Sequence, residues 1–274
     1  MSELRPTFTV VTPALNCGDL LPRNIQSVWS QGLEPGELEH WVIDGGSKDQ
    51  SLEVLLAHPQ VKYISEKDKG LSDAVNKGIQ RATGEWIIWL NADDELAPGA
   101  LQAFKKAARE NPGVFLFCGR QNVLGYDGTI EDILEPPDYT LDQLLGTQTS
   151  IIQASTFAHR SVYEKVGLLD VSIRYAMDYE WTVRAAREFK SVQIPVILTH
   201  YHRRKGSIMD ANMAAHYRTF LKVRRQLKQP YFALGEFRIR FYLATEPLRR
   251  MSWLRKSVRA IKRLFGQEPI HPMS

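Results

Sequence analysis

The chain has 274 residues and a globular composition, 43% hydrophobic and 24% charged, which excludes a disordered or fibrous protein. No apolar run reaches the roughly 18 residues of a transmembrane helix. The two cysteines, Cys17 and Cys118, form neither a disulfide framework nor a metal-ligand spacing, so we expect a cytoplasmic protein with Cys118 in its core.

The predicted elements alternate between strand and helix over the first 120 residues. Strands are predicted at 8–12, 40–43, 61–65, 86–90 and 114–118, and helices at 19–31, 49–57, 71–82 and 98–110. This alternation predicts right-handed βαβ units and an α/β fold with a mainly parallel central sheet flanked by helices.

The pattern changes after residue 120. A hairpin is predicted at 126–129, a short helix at 161–166, an amphipathic helix at 178–189, a strand at 191–198, and helices beyond about residue 207. Charge divides the chain at a similar point. Residues 203–274 hold 17 Lys and Arg against 4 Asp and Glu, whereas residues 1–202 hold 18 against 27. An acidic body with a basic tail predicts an anionic partner for the tail.

The most informative segment is a buried strand that ends in acids. The apolar run 86–90 is followed by Asn91-Ala92-Asp93-Asp94-Glu95, hereafter the acidic loop. Open α/β sheets bind ligands in the crevice at the carboxyl ends of their strands, and acidic oxygens there suit a hard divalent cation. The alternative is a set of acids at the start of a helix, where they complement its dipole, with Pro98 in the first turn.

Four segments together resemble a known family. They are Pro13-Ala14-Leu15-Asn16, residues 42–49 (VIDGGSKD), residues 65–79 (SEKDKGLSDAVNKGI) and residues 176–180 (AMDYE). In order and spacing over roughly residues 7–210 they resemble family 2 glycosyltransferases, above all those that build bacterial surface polysaccharides of the colanic acid type. The resemblance implies a GT-A fold and inverting sugar transfer from a nucleotide diphosphate sugar, expected to be a UDP-sugar, with Mn²⁺ or Mg²⁺.

The resemblance also implies a division of the chain. Residues 1–205 would form the GT-A catalytic domain, with about 1–120 binding the nucleotide sugar and about 121–205 binding the acceptor, a glycan or lipid-linked hydroxyl. Residues 206–274 would form a helical basic extension.

The metal site follows from the family motif. Asp93 and Asp94 are expected to contact the metal and the diphosphate, while Asn91 stands where the family usually has a carboxylate.

Two histidines, His200 and His202, would share one face of a strand, and His202 is the candidate third ligand. Arg203 or Arg204 is an alternative group that would neutralise the diphosphate. Glu95 could also help to hold the metal, but it is expected to be an acid at the start of the next helix.

The donor site is expected to include Pro13, Asn16, Asp44, Asp73 and Asp93. In the family an acidic pair after the second strand reads the base or ribose, and this chain keeps Asp44 but has a glycine next to it. Asp44 is alternatively a residue that caps its own turn, and Asp73 is alternatively an exposed helical acid.

Inverting displacement needs a base on the acceptor hydroxyl, opposite the leaving group. By its place in the family pattern, Asp178 is expected to be this catalytic base. The alternative is an acid that caps the start of a helix. Glu180 is a weaker candidate because two positions along a helix point in different directions.

The tail segment 249–265 combines Lys and Arg with Trp, Leu, Val, Ile and Phe. This pattern is typical of a basic amphipathic helix on an anionic membrane, which would place the protein peripherally on the inner face of the cell membrane. Packing on the catalytic domain is the alternative.

Two other functions compete with sugar transfer. A nucleotidyltransferase has a similar acidic sheet edge, but its phosphate loop after the first strand is Gly-rich and basic, unlike Pro13-Ala14-Leu15-Asn16. A basic RNA-binding or scaffold protein would use the tail. We expect no nucleic-acid partner, because the body is acidic and the tail lacks an interleaved aromatic recognition motif.

Overall fold

The computed structural model describes residues 7–136, 139–146, 151–204, 213–227 and 234–245. Its strands are β1 (Phe8–Ala14), β2 (Leu38–Asp44), β3 (Lys62–Ser65), β4 (Trp86–Trp89), β5 (Glu95–Leu96), β6 (Leu116–Leu124), β7 (Ile130–Leu134), β8 (Thr156–His159) and β9 (Ser191–His202). The helices are α1 (Leu21–Trp29), α2 (Ser51–Leu56), α3 (Leu71–Arg81), α4 (Ala100–Glu110), α5 (Leu141–Gly146), α6 (Arg160–Val166), α7 (Met177–Glu188), α8 (Met213–Gln226) and α9 (Leu234–Ala244).

These strands form one sheet in the order β3-β2-β1-β4-β8-β6-β9-β5, with β7 paired to β6. The first four strands are parallel, and Ala14, Asp44 and Ser65 lie side by side at the carboxyl ends of β1, β2 and β3. The loops after these strands and after β4 therefore share one edge of the sheet. The predicted α/β class with a central sheet and flanking helices is confirmed.

The second half of the sheet mixes directions. β8 lies antiparallel between β4 and β6, while β6 and β9 are parallel. The sequence did not predict β8 or β5. Glu95 is therefore not the helix-start acid that we expected, because β5 pairs antiparallel with β9, with Glu95 opposite His200. Helix α4 begins only at Ala100. The predicted hairpin after β6 is confirmed by the β6–β7 pair.

The two faces of the sheet bury separate hydrophobic cores. On one face, Phe104 of α4 packs edge-to-face against Phe8, Trp86, Phe117 and Phe157 of four strands. On the other face, α3 and α7 cover the sheet, and Cys118 is buried there as predicted. Rigid packing on both sides fixes the loop edge that carries the acids.

Helices α8 and α9 belong to this second core. Phe220 of α8 and Ile239 of α9 are 1% and 3% exposed and join the cluster that contains α7. None of the described helices is long and apolar enough to cross a membrane. The amphipathic segment predicted at 249–265 lies outside the described residues.

Candidate functional site

The loops after β1 and β2 are tied together by hydrogen bonds. Asn16 has a φ of 51°, and its backbone N–H donates to Ser47 Oγ at 2.7 Å. The side-chain oxygen of Asn16 accepts from the N–H of Lys48 at 2.9 Å. Pro13 is buried in β1 beside Ile43 of β2. Pro13 and Asn16 thus shape the sheet edge, and their contact with a donor stays a prediction.

Asp44 ends β2 as a fully buried carboxylate. Oδ2 accepts from the Ser47 N–H at 3.1 Å and from the Ser65 hydroxyl at 2.6 Å, and Oδ1 accepts from the Ser47 hydroxyl. The side chain therefore caps its own turn, which is the alternative that the sequence left open. Contact between Asp44 and a nucleotide stays a prediction.

Asp73 lies in the first turn of α3 and holds the loop in front of it. Its Oδ2 accepts from the backbone N–H of Lys69 at 3.0 Å. Lys77 lies 3.7 Å from the same oxygen and forms a shorter ion pair of 2.8 Å with Glu66. These contacts order the β3–α3 loop, and a direct contact between Asp73 and the donor stays a prediction.

Two arginines face the acidic loop. Arg204 Nε lies 3.0 Å from Asp93 Oδ2, and Arg23 Nε lies 2.8 Å from Glu95 Oε1. His202 Nε2 contacts the same oxygen of Glu95. The structure thus brings His202 to the acidic loop, but its partner there is Glu95. Its role as a metal ligand stays a prediction.

Asp94 is the buried member of the acidic loop. It is 3% exposed, and its Oδ1 has no hydrogen-bond partner within the part of the chain that the structure describes. Burial, followed by the charge of Asp93, raises the pKa of Asp94 well above its usual range. Asp93, by contrast, is partly exposed and forms an ion pair with the Arg204 guanidinium. Asp93 is therefore the carboxylate best placed to meet a ligand.

The Asn91 side chain is an internal link. Its Oδ1 accepts from the indole N–H of Trp89 at 2.9 Å, and its Nδ2 lies 3.4 Å from both Asp94 Oδ2 and Gln153 Oε1. Gln153 Nε2 also donates to the Trp89 carbonyl at 2.6 Å. An aspartate could accept from Trp89 but could not donate to two oxygens. This explains in physical terms why an amide stands at this position.

Asp178 faces a small cavity beside this link. The cavity has room for about one water molecule, about 20 Å³, and Trp89, Gln153, Tyr163 and Trp181 contribute to its lining. The Tyr179 N–H donates to Asp178 Oδ1 at 2.9 Å, yet burial is the larger effect and raises the pKa of Asp178. A carboxylate with a raised pKa is a better proton acceptor. Gln153 thus connects the Asp178 cavity to the acidic loop.

Two residues of α8 near this cavity were not predicted. His216 is half-buried, and burial lowers its pKa more than the nearby charge of Asp178 raises it. Arg224 is 1% exposed. Its guanidinium donates to the Leu144 carbonyl at 3.1 Å and to the Tyr179 hydroxyl at 3.0 Å. Arg224 therefore fastens α8 to α5 and to the start of α7, where Asp178 lies. No local sequence pattern marks either residue.

The side chains of the acidic loop offer oxygen ligands to a divalent cation. Among the described residues, no three His, Cys, Asp or Glu side chains converge to hold a metal alone. Mg²⁺, however, is commonly held by one or two carboxylates together with substrate phosphates. Asp93 and the unpartnered Oδ1 of Asp94 are oxygen ligands of that kind. The acidic loop therefore fits a cation whose remaining ligands come from the donor.

A model of the family described as Glycosyl transferase family 2 matches residues 9–167. An uncharacterized glycosyltransferase of Mycobacterium tuberculosis is 31% identical over 201 residues, which cover 72% of this chain and 75% of the relative. A PGL/p-HBAD biosynthesis glycosyltransferase of Mycobacterium bovis is 25% identical over 206 residues, which cover 72% and 73%.

Solved structures show the same fold. One is the mannosyltransferase PcManGT of Pyrobaculum calidifontis in complex with GDP-Man and Mn²⁺, with a TM-score of 0.64 at 16% identity. The match covers 98% of this chain and 77% of the PcManGT chain. Residues 1–349 of S. aureus TarS in complex with UDP-GlcNAc have a TM-score of 0.61 at 14% identity, covering 87% and 72%. The match spans 43% of a longer TarS chain. These likenesses confirm the GT-A type of the fold. From the family match and the 31% identity, the chain belongs to glycosyl transferase family 2.

Proposed function

We propose that this glycosyltransferase transfers a sugar with inversion from a UDP-sugar to a hydroxyl of a glycan or lipid-linked acceptor, in surface polysaccharide synthesis. The observation that carries the proposal is the placement of Asp178. Its carboxylate faces a cavity that Trp89 and Gln153 connect by hydrogen bonds to the acidic loop. In this proposal the base would lie on the acceptor side of the reacting sugar and the diphosphate site at the acidic loop on its other side, as displacement at a sugar carbon requires.

In the proposed reaction, Asp178 accepts the proton of the acceptor hydroxyl while that oxygen attacks the anomeric carbon. The bond from this carbon to the diphosphate oxygen breaks on the opposite face, and the diphosphate leaves with the bonding electrons. The configuration at the anomeric carbon therefore inverts. Burial raises the pKa of Asp178, which makes its carboxylate a better proton acceptor.

The departing diphosphate needs positive charge around it. Asp93 and Asp94 would hold Mn²⁺ or Mg²⁺, which offsets the leaving-group charge as a Lewis acid. Arg204 and Arg23 supply two guanidinium groups at the same loop. The Arg204 side chain is 45% exposed and reaches Asp93 through one ion pair, so it can exchange this carboxylate for a donor phosphate.

The names of the relatives support a nucleotide-sugar donor and a role in biosynthesis. TarS is solved with UDP-GlcNAc and PcManGT with GDP-Man and Mn²⁺, and a mycobacterial relative is named for PGL/p-HBAD biosynthesis. Family membership also favours sugar transfer over the nucleotidyltransferase and RNA-binding alternatives. The basic tail would bring the enzyme to anionic membrane carrying a lipid-linked acceptor.

The test of the base is Asp178→Asn, assayed by sugar transfer from UDP-sugars to glycan and lipid-linked acceptors. We expect transfer to fall by about 10²–10⁴-fold, the usual contribution of a general base. UDP affinity should stay unchanged, because in this proposal Asp178 contacts the acceptor and not the donor. The Asn variant should be at least as stable as the parent at pH 7. Burial raises the pKa of Asp178, so the ionised form costs stability above the unfolded pKa.

The matched control is Asp170→Asn, which removes the same charge from an exposed turn just before α7. It should transfer sugar like the parent. Full activity of Asp178→Asn would contradict its role as the base. A product with the anomeric configuration of the donor, measured by NMR, would contradict inversion.

The membrane proposal has its own measurement. The full chain should bind liposomes that contain anionic lipid, and binding should weaken with salt. A variant that ends after residue 245 should lose most of that binding while keeping its UDP affinity. Equal liposome binding by both proteins would contradict a role of the tail at the membrane.

A further inference from the structure

A second cleft lies on the outer surface of the molecule, between α1 and the turn that follows α2. It is open to solvent and has a volume of about 470 Å³, which is within the range of ligand-binding pockets. Trp29, His58 and Gln60 contribute to its lining, and Ile25, which is 1% exposed, is the buried member of that lining. Among the described residues, none of the acidic loop or of the Asp178 cavity lines this cleft, so it is separate from the candidate site.

The indole of Trp29 is the aromatic surface of the cleft. Trp29 is 37% exposed, whereas Leu21, Ile25 and Val28 of the same helix are at most 1% exposed. Much of the indole therefore stays outside the hydrophobic core. A flat apolar ring that remains open to solvent can stack against the C–H face of a pyranose sugar.

Uncommitted hydrogen-bonding groups surround the indole. The side-chain amides of Gln26 and Gln60 are exposed and make no hydrogen bond within the described ranges. His58 Nδ1 lies 2.7 Å from the Val54 carbonyl, and because a carbonyl only accepts, Nδ1 carries the hydrogen. Nε2 of the neutral ring is therefore an acceptor. Amides that donate and accept, together with an imidazole acceptor, match sugar hydroxyls, which do both.

The cleft carries no formal charge. None of the described residues that line it is Asp, Glu, Lys or Arg, although these four types make up 24% of the chain. A phosphate, a uronic acid or a basic peptide would find no opposite charge here. The ligand that fits is uncharged, rich in hydroxyl groups and apolar on one face, which is the chemistry of a neutral glycan.

The lining of the cleft is held in place before any ligand binds. The Val61 N–H donates to the His58 carbonyl at 2.9 Å and closes the turn after α2. The Ser30 N–H donates to the Gln26 carbonyl at 3.0 Å and closes the end of α1 behind Trp29. A ligand would therefore spend little binding energy on ordering these groups.

The cleft is close to the acidic loop but on the other face of the sheet from Asp178. Arg23, near the start of α1, pairs with Glu95 at 2.8 Å, and from Arg23 to Trp29 the helix rises about 9 Å. Val28 of α1 packs in the core that contains α4, whereas α7, which carries Asp178, packs in the core on the opposite face. A ligand in the cleft would thus lie away from the reacting sugar.

On the basis of the proposed function, we propose that the cleft between α1 and α2 is a second glycan site, which binds a neutral stretch of the acceptor at a distance from the hydroxyl that reacts. The Trp29 indole would stack on one sugar ring, while Gln26, His58 and Gln60 bond its hydroxyls. A long acceptor would then be held at two places, which raises the local concentration of its reacting end. A short acceptor would not gain this advantage.

Affinity electrophoresis of the full chain in native gels tests the binding. The gels contain dextran, laminarin or galactomannan as neutral polysaccharides, and polygalacturonate as an acidic one. We expect at least one neutral polysaccharide to retard the parent protein, and Trp29→Ala to weaken that binding by about tenfold or more. Binding to polygalacturonate, which the basic tail can provide, should not change in Trp29→Ala.

Two further variants separate the cleft from general effects on folding and surface polarity. Gln26→Ala places a strong helix former at an exposed position of α1, so the variant should fold, and it should weaken binding by about threefold or more. Leu56→Ala removes a leucine that is 65% exposed on α2 and does not line the cleft. Its polysaccharide binding should stay within about twofold of the parent.

The outcomes separate this inference from the proposed function. If no neutral polysaccharide retards the parent, or if Gln26→Ala and folded Trp29→Ala are retarded like the parent, the second glycan site is refuted, and sugar transfer by the parent would leave the proposed function untouched. If polysaccharide binding depends on Trp29 but the parent transfers no sugar, the proposed function is wrong and the cleft still binds glycan. If light scattering shows that Trp29→Ala and Leu56→Ala both convert an oligomer into a monomer, this surface is a protein interface and the inference is overturned.

Discussion

Replacement of Arg224 by methionine tests whether α8 is part of the catalytic unit. Methionine keeps much of the aliphatic volume and removes the guanidinium. Two bonds, to the Leu144 carbonyl at 3.1 Å and to the Tyr179 hydroxyl at 3.0 Å, would be lost, together with a contact to the Leu145 carbonyl. The guanidinium also lies over the Phe220 ring, 5.7 Å from its centroid.

The expected loss of stability in Arg224→Met follows from these contacts. A hydrogen bond with a charged donor contributes about 1.5–3 kcal/mol, and three of them at one group are not additive. Removal of one partner from a buried charged network costs about 3–5 kcal/mol. For a protein of this size, 1 kcal/mol shifts the melting temperature by about 2–4 °C. We therefore expect Arg224→Met to melt about 6–20 °C below the parent.

The assay is urea unfolding followed by circular dichroism, together with sugar transfer at a temperature where the variant is folded. The matched control is Lys222→Met, an exposed position on the same helix. It should change the free energy of unfolding by no more than about 0.5 kcal/mol. Transfer should fall in Arg224→Met, because Tyr179 adjoins the proposed base. The reasoning is refuted if Arg224→Met unfolds at the same urea concentration as Lys222→Met.

Three further perturbations have defined outcomes. Asp93→Ala should lower transfer by about 10²–10³-fold. In a thermal-shift assay Mn²⁺ should no longer raise the melting temperature of its UDP complex, and a rise that persists would contradict the role of Asp93 in metal binding. His40 is fully buried, and burial lowers its pKa to about 3, so the protein should lose stability as pH falls from about 6.5 towards 3, on the order of 4 kcal/mol at most. His40→Gln should flatten this dependence in pH-dependent urea unfolding, and an unchanged slope would contradict the assignment. In Gly78→Ala the new Cβ would lie 2.2 Å from a Val11 methyl. The steric cost of about 1–3 kcal/mol in the free energy of unfolding should outweigh the gain in helix propensity of about 1 kcal/mol. A variant more stable than the parent in urea unfolding would show that α3 can shift.

The parallel half of the sheet could be predicted largely because β1, β4 and most of β2 are buried on both faces. Such strands are short continuous apolar runs, and helical periodicity separates them, as in the stretch that leads to Trp86. β5 and β8 could not be predicted in this way. Glu95-Leu96 is two residues long, and Thr156–His159 is stabilised by partners in β4 and β6 that are remote in sequence. Local patterns contain no information about such pairings.

The candidate site was predictable to the same extent. The acids lie at the strand ends and helix starts that the sequence indicated, because these positions depend on local structure. Their environments depend on distant elements. Nothing near Asp93 in the sequence indicates Arg204, and nothing near Asp178 indicates His216.

The pairing of β5 with β9 has a consequence for the order in which the protein folds on the ribosome. Glu95 receives its partner His202 only after 107 more residues have been synthesised. At about 5–20 residues per second, the acidic loop waits about 5 to 20 s for the strand that closes it. During that time the strands β1 to β4 have been synthesised, but the loop edge at their carboxyl ends is unfinished. A nascent chain should therefore gain donor affinity only after β9 has emerged. The segment before β5 and the segment that ends with β9 should not be exchangeable as modules between relatives.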